Sequence, residues 1–148
     1  MKNYTQNKAY NFFNKDESTI SKYRSYGTRD RQLNIPERSL IDHYHLHNQK
    51  ILIVGGGTGR LAANLLLFGN EVLSIDYSKE FTNAAKSLYS RDNFMNIQFE
   101  CMDGRNLDSL HGSDFDAVIC PMNTIDYAPS LVDREKMLTN MYKCLKKD

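Results

Sequence analysis

The chain has 148 residues, of which 41% are hydrophobic and 25% charged, and its formal net charge is +1 at pH 7. A single domain of about 150 residues buries roughly two thirds of the surface of its unfolded chain, so a real core is possible. No apolar run approaches the roughly 20 residues that span a bilayer, and the N-terminus lacks the apolar stretch of a signal peptide. We therefore expect one cytoplasmic domain without a membrane segment.

Cysteine usage and local charge narrow the classes of partner. Cys101, Cys120 and Cys144 are odd in number and lack CxxC spacing, so we interpret them as reduced, apolar thiols and expect no metal site. Residues 1–50 hold nine Lys/Arg against five Asp/Glu. No regular aromatic spacing accompanies this excess, which favours a solvated surface over a nucleic-acid surface, with RNA as the lesser alternative.

The N-terminal part of the chain precedes any regular pattern. In residues 1–35, scattered aromatic and aliphatic residues in a polar background predict one or two short helices lying over another part of the protein, as an arm or lid. Some of its side chains are candidates to cover a bound cofactor or pair with its carboxylate, with packing and surface roles as the alternative: Tyr4, Tyr10, Tyr23, Tyr26, Arg24 and Arg29.

A helix is predicted over 36–47, because Pro36 suits a first turn and apolar residues follow at helical spacing. His43, His45 and His47 alternate within it. A helix would align only His43 with His47, so metal binding is the lesser interpretation.

From residue 50 onward, strand and helix patterns alternate. Strands are predicted at 50–54, 71–75, 97–101 and 115–120, and helices at about 59–68, from Ser78 to about 91, and from Ser130 to the end of the chain. Gly69 is placed to end the first of these helices, and polar residues put the third strand at a sheet edge. The alternation predicts an α/β fold for residues 36–148, with a three-layer α/β/α, doubly wound, mostly parallel sheet.

The first strand runs directly into a glycine cluster, which indicates a nucleotide-cofactor loop. A dinucleotide fingerprint, G-x-G-x-x-G/A, fails from Gly55 because Arg60 takes the third position; the frame on Gly57, Gly59 and Ala62 begins two residues too late. The pattern G-x-G-x-G fits Gly55, Gly57 and Gly59. A tight turn without a ligand is the remaining alternative.

This loop resembles the first motif of the class I S-adenosylmethionine-dependent methyltransferase family. Further landmarks follow in that family's order: Asp76 at the end of the second strand, Met102-Asp103 after the third, Asp114-Phe115-Asp116-Ala117-Val118 at the fourth, and Lys143-Cys144-Leu145-Lys146-Lys147 in the last helix. The resemblance implies S-adenosylmethionine as cofactor. It also implies a Rossmann-like methyltransferase fold with strand order 3-2-1-4, truncated after strand 4.

The resemblance also implies roles for single residues. The cofactor would lie on the loop Gly55, Gly56, Gly57 and Gly59, with Asp76 holding both ribose hydroxyls and Tyr77 beside it. Asp103 would meet the adenine amino group and Met102 the ring. Dinucleotide enzymes use an acid at the position of Asp76 too, so that residue does not discriminate between the cofactors.

The chain departs from the family pattern in two places. Ile53 stands where the family usually carries an acidic residue, so the common contact to the methionine amino group is absent or supplied elsewhere. The family sheet has seven strands, whereas this chain stops before a fifth. We expect either a fragment, or a partner or homodimer that covers the apolar edge of strand 4.

The loop after the fourth strand should face the transferred methyl group, since ligands of such sheets lie where the strand order reverses. Asn123, Asp126 and Tyr127 are its candidates for catalysis or for contact with substrate or the methionine end, with turn and cap roles as the alternative. The resemblance implies methyl transfer to a small-molecule acceptor, releasing S-adenosylhomocysteine. A non-catalytic S-adenosylmethionine-binding module and an NAD-dependent oxidoreductase are the alternatives.

Overall fold

Four parallel strands form the centre of the protein in a computed structural model, which describes residues 16–22, 32–90 and 94–147. They are β1 (Lys50–Val54), β2 (Glu71–Asp76), β3 (Ile97–Cys101) and β4 (Ala117–Ile119). Their order is β3-β2-β1-β4, so the strand order reverses between β1 and β4. This confirms the predicted fold class and strand order, and β3 lies at an edge as expected.

Helices cover both faces of the sheet. They are α1 (Ile35–His43), α2 (Arg60–Leu66), α3 (Lys79–Leu88) and α4 (Leu131–Cys144), with short 3-10 helices at Asp108–Leu110 and Thr124–Tyr127 and a helical segment at residues 17–22. Ile51 and Ile53 of β1 belong to a core cluster with residues of α1, α2 and α3. Leu52 and Val54 belong to a second cluster with residues of α4. The alternation along β1 therefore produces the three-layer arrangement.

The first helix is shorter than the sequence predicts. Asn34 caps it by accepting a hydrogen bond from the Glu37 backbone, and Glu37 reciprocates in a capping box. The helix ends at His43, and the positive φ angles of His45 (50°) and Asn48 (54°) turn the chain towards β1. The expected helical alignment of His43 with His47 is therefore wrong, and the described residues contain no group of three His, Cys, Asp or Glu able to hold a metal ion.

The other helix ends largely follow their sequence signals. The side chains of Ser78 and Ser130 accept hydrogen bonds from the backbone N–H groups of Phe81 and Asp133, as capping predicts. The turn after α2 ends at Gly69, whose φ is 78°. Helix α2 is two residues shorter than expected at its C-terminal end, because residues 67–69 form a turn.

The segment after α4 changes the expected end of the sheet. The regular part of the fourth strand covers only Ala117–Ile119, and Phe115 forms an isolated parallel bridge with Leu145. The Phe115 N–H donates to the Cys144 carbonyl (3.1 Å), and the Lys146 N–H donates to the Phe115 carbonyl (2.9 Å). One residue of a fifth parallel segment, Leu145, therefore pairs with the sheet, whereas we expected the chain to stop before a fifth strand.

Among the described residues, no helix combines the length and apolar character needed to cross a membrane. Cys101 is exposed, Cys120 half-buried and Cys144 buried, and all three are free thiols, as the sequence predicts.

Candidate functional site

A cavity of about 610 Å³ lies at the carboxyl ends of the strands, where the sheet order reverses. Its volume is typical of small-molecule sites, which span roughly 300–1,000 Å³. The residues that line it come from the ends of β1, β2 and β3, from α3, from the loop after β4 and from α4: Val54, Gly55, Gly57, Asp76, Tyr77, Phe81, Cys101, Met102, Asp103, Gly104, Arg105, Met122, Asn123, Thr124, Tyr127, Ala128 and Met137.

The glycine loop is bent so that its backbone borders the cavity. Gly55, Gly57 and Gly59 have φ angles of 86°, 57° and 88°, a left-handed region that side chains disfavour. The N–H groups of Gly55 and Gly56 both donate to the Ile75 carbonyl, at 2.8 and 2.9 Å, which ties the loop to the end of β2. The backbone can thereby approach a ligand without a Cβ atom between them.

The glycines of this loop divide into two groups. Gly55 and Gly57 line the cavity, and a Cβ on Gly57 would meet no atom within 4 Å. Gly56 and Gly59 are not lining residues. A Cβ on Gly56 would overlap Ser74 Oγ, and one on Gly59 would lie 2.7 Å from Phe99 Cε1. These two glycines therefore permit the close packing of the loop against the sheet.

Asp76 places a nearly buried carboxylate, 9% exposed, on the cavity wall. Its Oδ2 accepts a hydrogen bond from the Gly57 N–H (2.9 Å), and its Oδ1 accepts one from the Ser78 N–H (2.8 Å). Burial raises the pKa of Asp76 above its ordinary value of 3.8, although both N–H groups stabilise the charged form. The Asp76 carboxylate is thus a hydrogen-bond acceptor held in one orientation, and its burial makes the charged form energetically unfavourable.

The loop after β3 supplies Met102 and Asp103 beside that carboxylate. The Met102 N–H donates to the Asp76 carbonyl (3.0 Å), which fixes the start of this loop against β2. The Asp103 carboxylate pairs with Arg105, whose Nε lies 3.0 Å from each carboxylate oxygen. Burial alone would raise the pKa of Asp103, but the hydrogen bonds and charge of Arg105 outweigh burial, so the pKa lies below its ordinary value.

The loop after β4 closes the opposite side of the cavity. Asn123 and Tyr127 line it, as the strand order predicts. Asp126 does not: its carboxylate lies 3.4 Å from the Arg134 guanidinium, outside the lining. The φ angle of Met122 is 55°, a strained conformation for a side chain of this size.

Part of the N-terminal arm packs against the cavity wall. Ile20, 9% exposed, forms a small apolar cluster with Phe81, and Tyr77 packs against that cluster. Both aromatic residues line the cavity. Of the arm, only residues 16–22 are described before residue 32; the candidate side chains Tyr4, Tyr10, Tyr23, Tyr26, Arg24 and Arg29 lie outside the described residues.

Ile53, which replaces the family's usual acid, does not face the cavity. Its side chain is 0% exposed and packs in the core cluster on the α1, α2 and α3 side of the sheet. Its neighbour Val54 lines the cavity instead.

Several lining residues were not predicted as site residues. Thr124 packs its side chain against Gly55, so closely that a Cβ on that glycine would overlap it. Arg105, Phe81 and Met137 also line the cavity. The proximity of Arg105 to Asp103, two positions earlier at the end of a strand, was a usable sequence signal; Met137 could be placed only once the packing of α4 was known.

Comparisons with known proteins agree with this geometry. The family described as "Methyltransferase domain" matches residues 51–148. A ubiquinone biosynthesis O-methyltransferase from Chromobacterium violaceum is 32% identical over 87 residues, which are 59% of this chain and 37% of that protein. The chain therefore spans little more than a third of the length of this curated relative.

Two solved structures share the fold. A TehB-like SAM-dependent methyltransferase from Corynebacterium glutamicum is 25% identical, with a TM-score of 0.68 over 87% of this chain and 66% of that one. A magnesium protoporphyrin IX methyltransferase from Synechocystis PCC 6803, solved with bound SAM, is 20% identical, with a TM-score of 0.70 over 95% of this chain and 72% of that one.

The chain belongs to the methyltransferase domain family, and the cofactor of this class is S-adenosylmethionine. The resemblance carried by the glycine loop and the landmarks after it is confirmed.

Proposed function

We propose that this chain forms the cofactor-binding part of a methyltransferase that transfers a methyl group from S-adenosylmethionine to a small-molecule acceptor and releases S-adenosylhomocysteine. The observation that carries the proposal is the convergence of Gly55, Gly57, Asp76 and Asp103 on one cavity of about 610 Å³. A glycine loop and two separated carboxylates suit a nucleoside with hydroxyl and amino donors, since ionised carboxylates only accept hydrogen bonds.

The lining suggests how the cofactor lies. The ribose hydroxyls would donate to Asp76, which faces the cavity between β1 and β2. The adenine would lie beside Met102, with its amino group towards Asp103. The methionine part would then extend over Gly55 and Gly57 towards the loop after β4. Because Ile53 is buried away from the cavity, polar groups of that loop would meet the methionine amino group in place of the usual acid.

The chemistry asks little of individual side chains. A sulfonium methyl group is already activated, so alignment of the acceptor and exclusion of water account for most of the protein's task. Asn123 and Tyr127 line the cavity from the loop after β4 and would orient the acceptor. Asp126 has no such role, since its carboxylate faces Arg134.

Calorimetry with three ligands tests this assignment. S-adenosylmethionine and S-adenosylhomocysteine should bind, and NAD should bind more weakly than either. Asp76→Ala should abolish binding of both, while Asp126→Ala, a carboxylate outside the lining, should leave it unchanged. If neither adenosyl ligand binds more tightly than about 1 mM, which corresponds to only about 4 kcal/mol, the proposal is wrong. Binding without methyl transfer to any acceptor would favour the non-catalytic alternative.

We further propose that the outer edge of β4 is covered by a second copy of the chain, by a partner, or by a further strand of a longer protein of which this chain is a fragment. Strand β4 pairs with β1 on one side, and on the other the described residues provide only the single bridge between Phe115 and Leu145. Open edges of apolar strands are normally covered in natural proteins.

A further inference from the structure

The carboxylate of Asp103 is held by one arginine through several contacts. Arg105 Nε lies 3.0 Å from both carboxylate oxygens, and Nη2 lies 2.5 Å from Oδ2. The backbone N–H of Arg105 also donates to Oδ1 at 2.9 Å. The side chain of Asp103 is 33% exposed and that of Arg105 is 24% exposed, so this pair is shielded from solvent more than an ordinary surface pair. The direction in which the carboxylate points is therefore set by Arg105.

Arg105 is itself fixed at its other end by helix α4. Its Nη1 lies 3.4 Å from Oδ1 of Asp133, in the first turn of that helix. The other oxygen of Asp133 accepts a hydrogen bond from the Ser130 hydroxyl, which also caps the helix. Asn140, one of the buried polar residues, donates from Nδ2 to the Arg105 carbonyl at 2.8 Å. The arginine thus joins the loop after β3 to α4 through both its side chain and its backbone.

This arrangement is more specific than charge neutralisation requires. A single exposed ion pair contributes only about 0–1 kcal/mol and fixes no geometry. Here the planar guanidinium of Arg105 pairs with the Asp103 carboxylate at the cavity wall. The Asp133 carboxylate forms a second ion pair with the same guanidinium. Without the guanidinium, both Asp103 and Asp133 would lose the ion pair that each forms with Arg105.

We propose that Arg105 is a positioning residue for base recognition: it holds the Asp103 carboxylate at the cavity wall as an acceptor for the exocyclic amino group of adenine. The inference rests on the proposed function, because it assumes that the adenine lies beside Asp103. An ionised carboxylate accepts from an amino group but has no proton to offer a carbonyl oxygen. The fixed pair therefore selects adenine against a purine with oxygen at the same position.

Loss of Arg105 has a further consequence that depends on pH. The groups that face Asp103 are Arg105 and Lys136, with Asp133 behind the arginine and Asp76 on the same cavity wall. Burial raises the pKa of Asp103, and Arg105 is the main group that lowers it. Without that side chain, Asp103 takes up a proton at higher pH and then presents an O–H group, which disfavours an amino donor.

The test measures binding of S-adenosylhomocysteine and of its inosine analogue by calorimetry at pH 7 and pH 5. The proteins are the wild type, Arg105→Gln, Arg105→Lys and the control Arg134→Gln. The control changes an arginine that follows Asp133 in α4 and does not line the cavity. Arg105→Gln should weaken S-adenosylhomocysteine binding about tenfold, roughly the loss of one charge-assisted hydrogen bond. It should weaken the analogue less, and its deficit should grow at pH 5. Arg105→Lys should lie between, and Arg134→Gln should match the wild type.

The outcomes separate this inference from the proposed function. If the wild type does not bind S-adenosylhomocysteine, the proposed function fails. If the wild type binds and both Arg105 variants show its affinities, base discrimination and pH dependence, the role of Arg105 is overturned. An equal loss for both ligands, unchanged between pH 7 and pH 5, would show a structural role only and would also overturn it. Should Arg105→Gln fail to fold by circular dichroism, Arg105→Lys decides by the same criteria.

Discussion

At the scale of single residues, Asp76 shows a conflict between stability and binding. Its carboxylate is 9% exposed, and burial raises its pKa in the folded protein above the ordinary value of 3.8. A raised folded-state pKa means that the stabilising contribution is present below about 3.8 and is lost as the pH rises through the higher value. The charged form therefore costs the protein stability at neutral pH, whereas the proposed hydrogen bonds from the ribose hydroxyls require that form.

Protonation of Asp76 should weaken cofactor binding. As the pH is lowered from 7.5 through the raised pKa of this carboxyl, affinity for S-adenosylhomocysteine should fall. A protonated carboxyl group is a poorer acceptor of hydrogen bonds from the ribose hydroxyls than a carboxylate is. Asp103 stays charged over this window, since its pKa lies below the ordinary value. Calorimetry across the pH range measures the fall, with Asp126→Ala as a control that should show the same profile. Constant affinity in a folded protein down to pH 4 would remove Asp76 from the site.

Two neighbouring glycines should respond differently to the same substitution. Gly57→Ala places a methyl group in open space beside the cavity, at a φ of 57°, so it should cost about 1–2 kcal/mol of stability and weaken S-adenosylhomocysteine binding. Gly56→Ala overlaps the buried Ser74 and should cost about 1–3 kcal/mol through overpacking. Thermal melting and calorimetry together distinguish the two effects. Undiminished binding by Gly57→Ala would mean that the ligand does not approach this part of the loop.

At the scale of elements, the sequence predicts strands better than it predicts helix ends. The bounds predicted for β1 and β3 are those observed, because β-branched enrichment in the first, alternation in the second and turn residues around both favour strands. Helix α1 ends early because His45 and Asn48 adopt positive φ angles, which the helical spacing of apolar residues does not reveal. Hydrophobic periodicity reports which face is buried, and not where tertiary contacts stop a helix.

The cofactor side of the site was also more predictable than its supports. Gly55, Gly57, Asp76 and Asp103 lie at the carboxyl ends of strands or within three residues of them, so the parallel topology alone brings them together. The contact between Arg105 and α4 joins residues far apart in sequence, and it depends on how that helix packs against the sheet. No local pattern in a single sequence predicts that Arg105 contacts α4.

The arm segment at residues 17–22 should contribute to ligand affinity through one apolar contact. The burial of a side chain such as Ile20 stabilises the folded state by about 1.5–3 kcal/mol. Ile20→Asp would remove that contribution and place a charge against Phe81. We expect weaker S-adenosylhomocysteine binding, because Phe81 and Tyr77 line the cavity. Ser21→Asp adds the same charge at an exposed position of the segment and should have no effect in calorimetry. Equal affinities for the two variants would show that the arm does not support the site.

At the scale of the whole molecule, the cavity at the strand ends is lined from several elements, whereas one flank of the sheet is largely unpaired among the described residues. Among the described residues, the outer side of β4 has no strand partner, and the one bridge on that side joins Phe115, which precedes the strand, to Leu145. On the neighbouring helix α4, Leu131, Leu138 and Tyr142 are 73%, 55% and 76% exposed. Their spacing of seven and then four residues places them along one side of the helix. Exposed apolar stripes and unpaired sheet edges are both typical of surfaces that another chain covers.

The 148-residue chain should therefore self-associate through this flank. Light scattering at increasing concentration should show a dimer, and the double substitution of Leu138→Glu with Tyr142→Glu should shift it to the monomer, because the paired copies would then oppose charges in an apolar contact. Thermal stability of the monomer should change little, since both side chains are more than half exposed. Leu67→Glu, at an 81% exposed position after α2, adds a comparable charge elsewhere and should leave the dimer intact. A wild-type chain that stays monomeric at all concentrations would rule out a second copy as the cover of β4 and leave a different partner, or a further strand of a longer protein, for that edge.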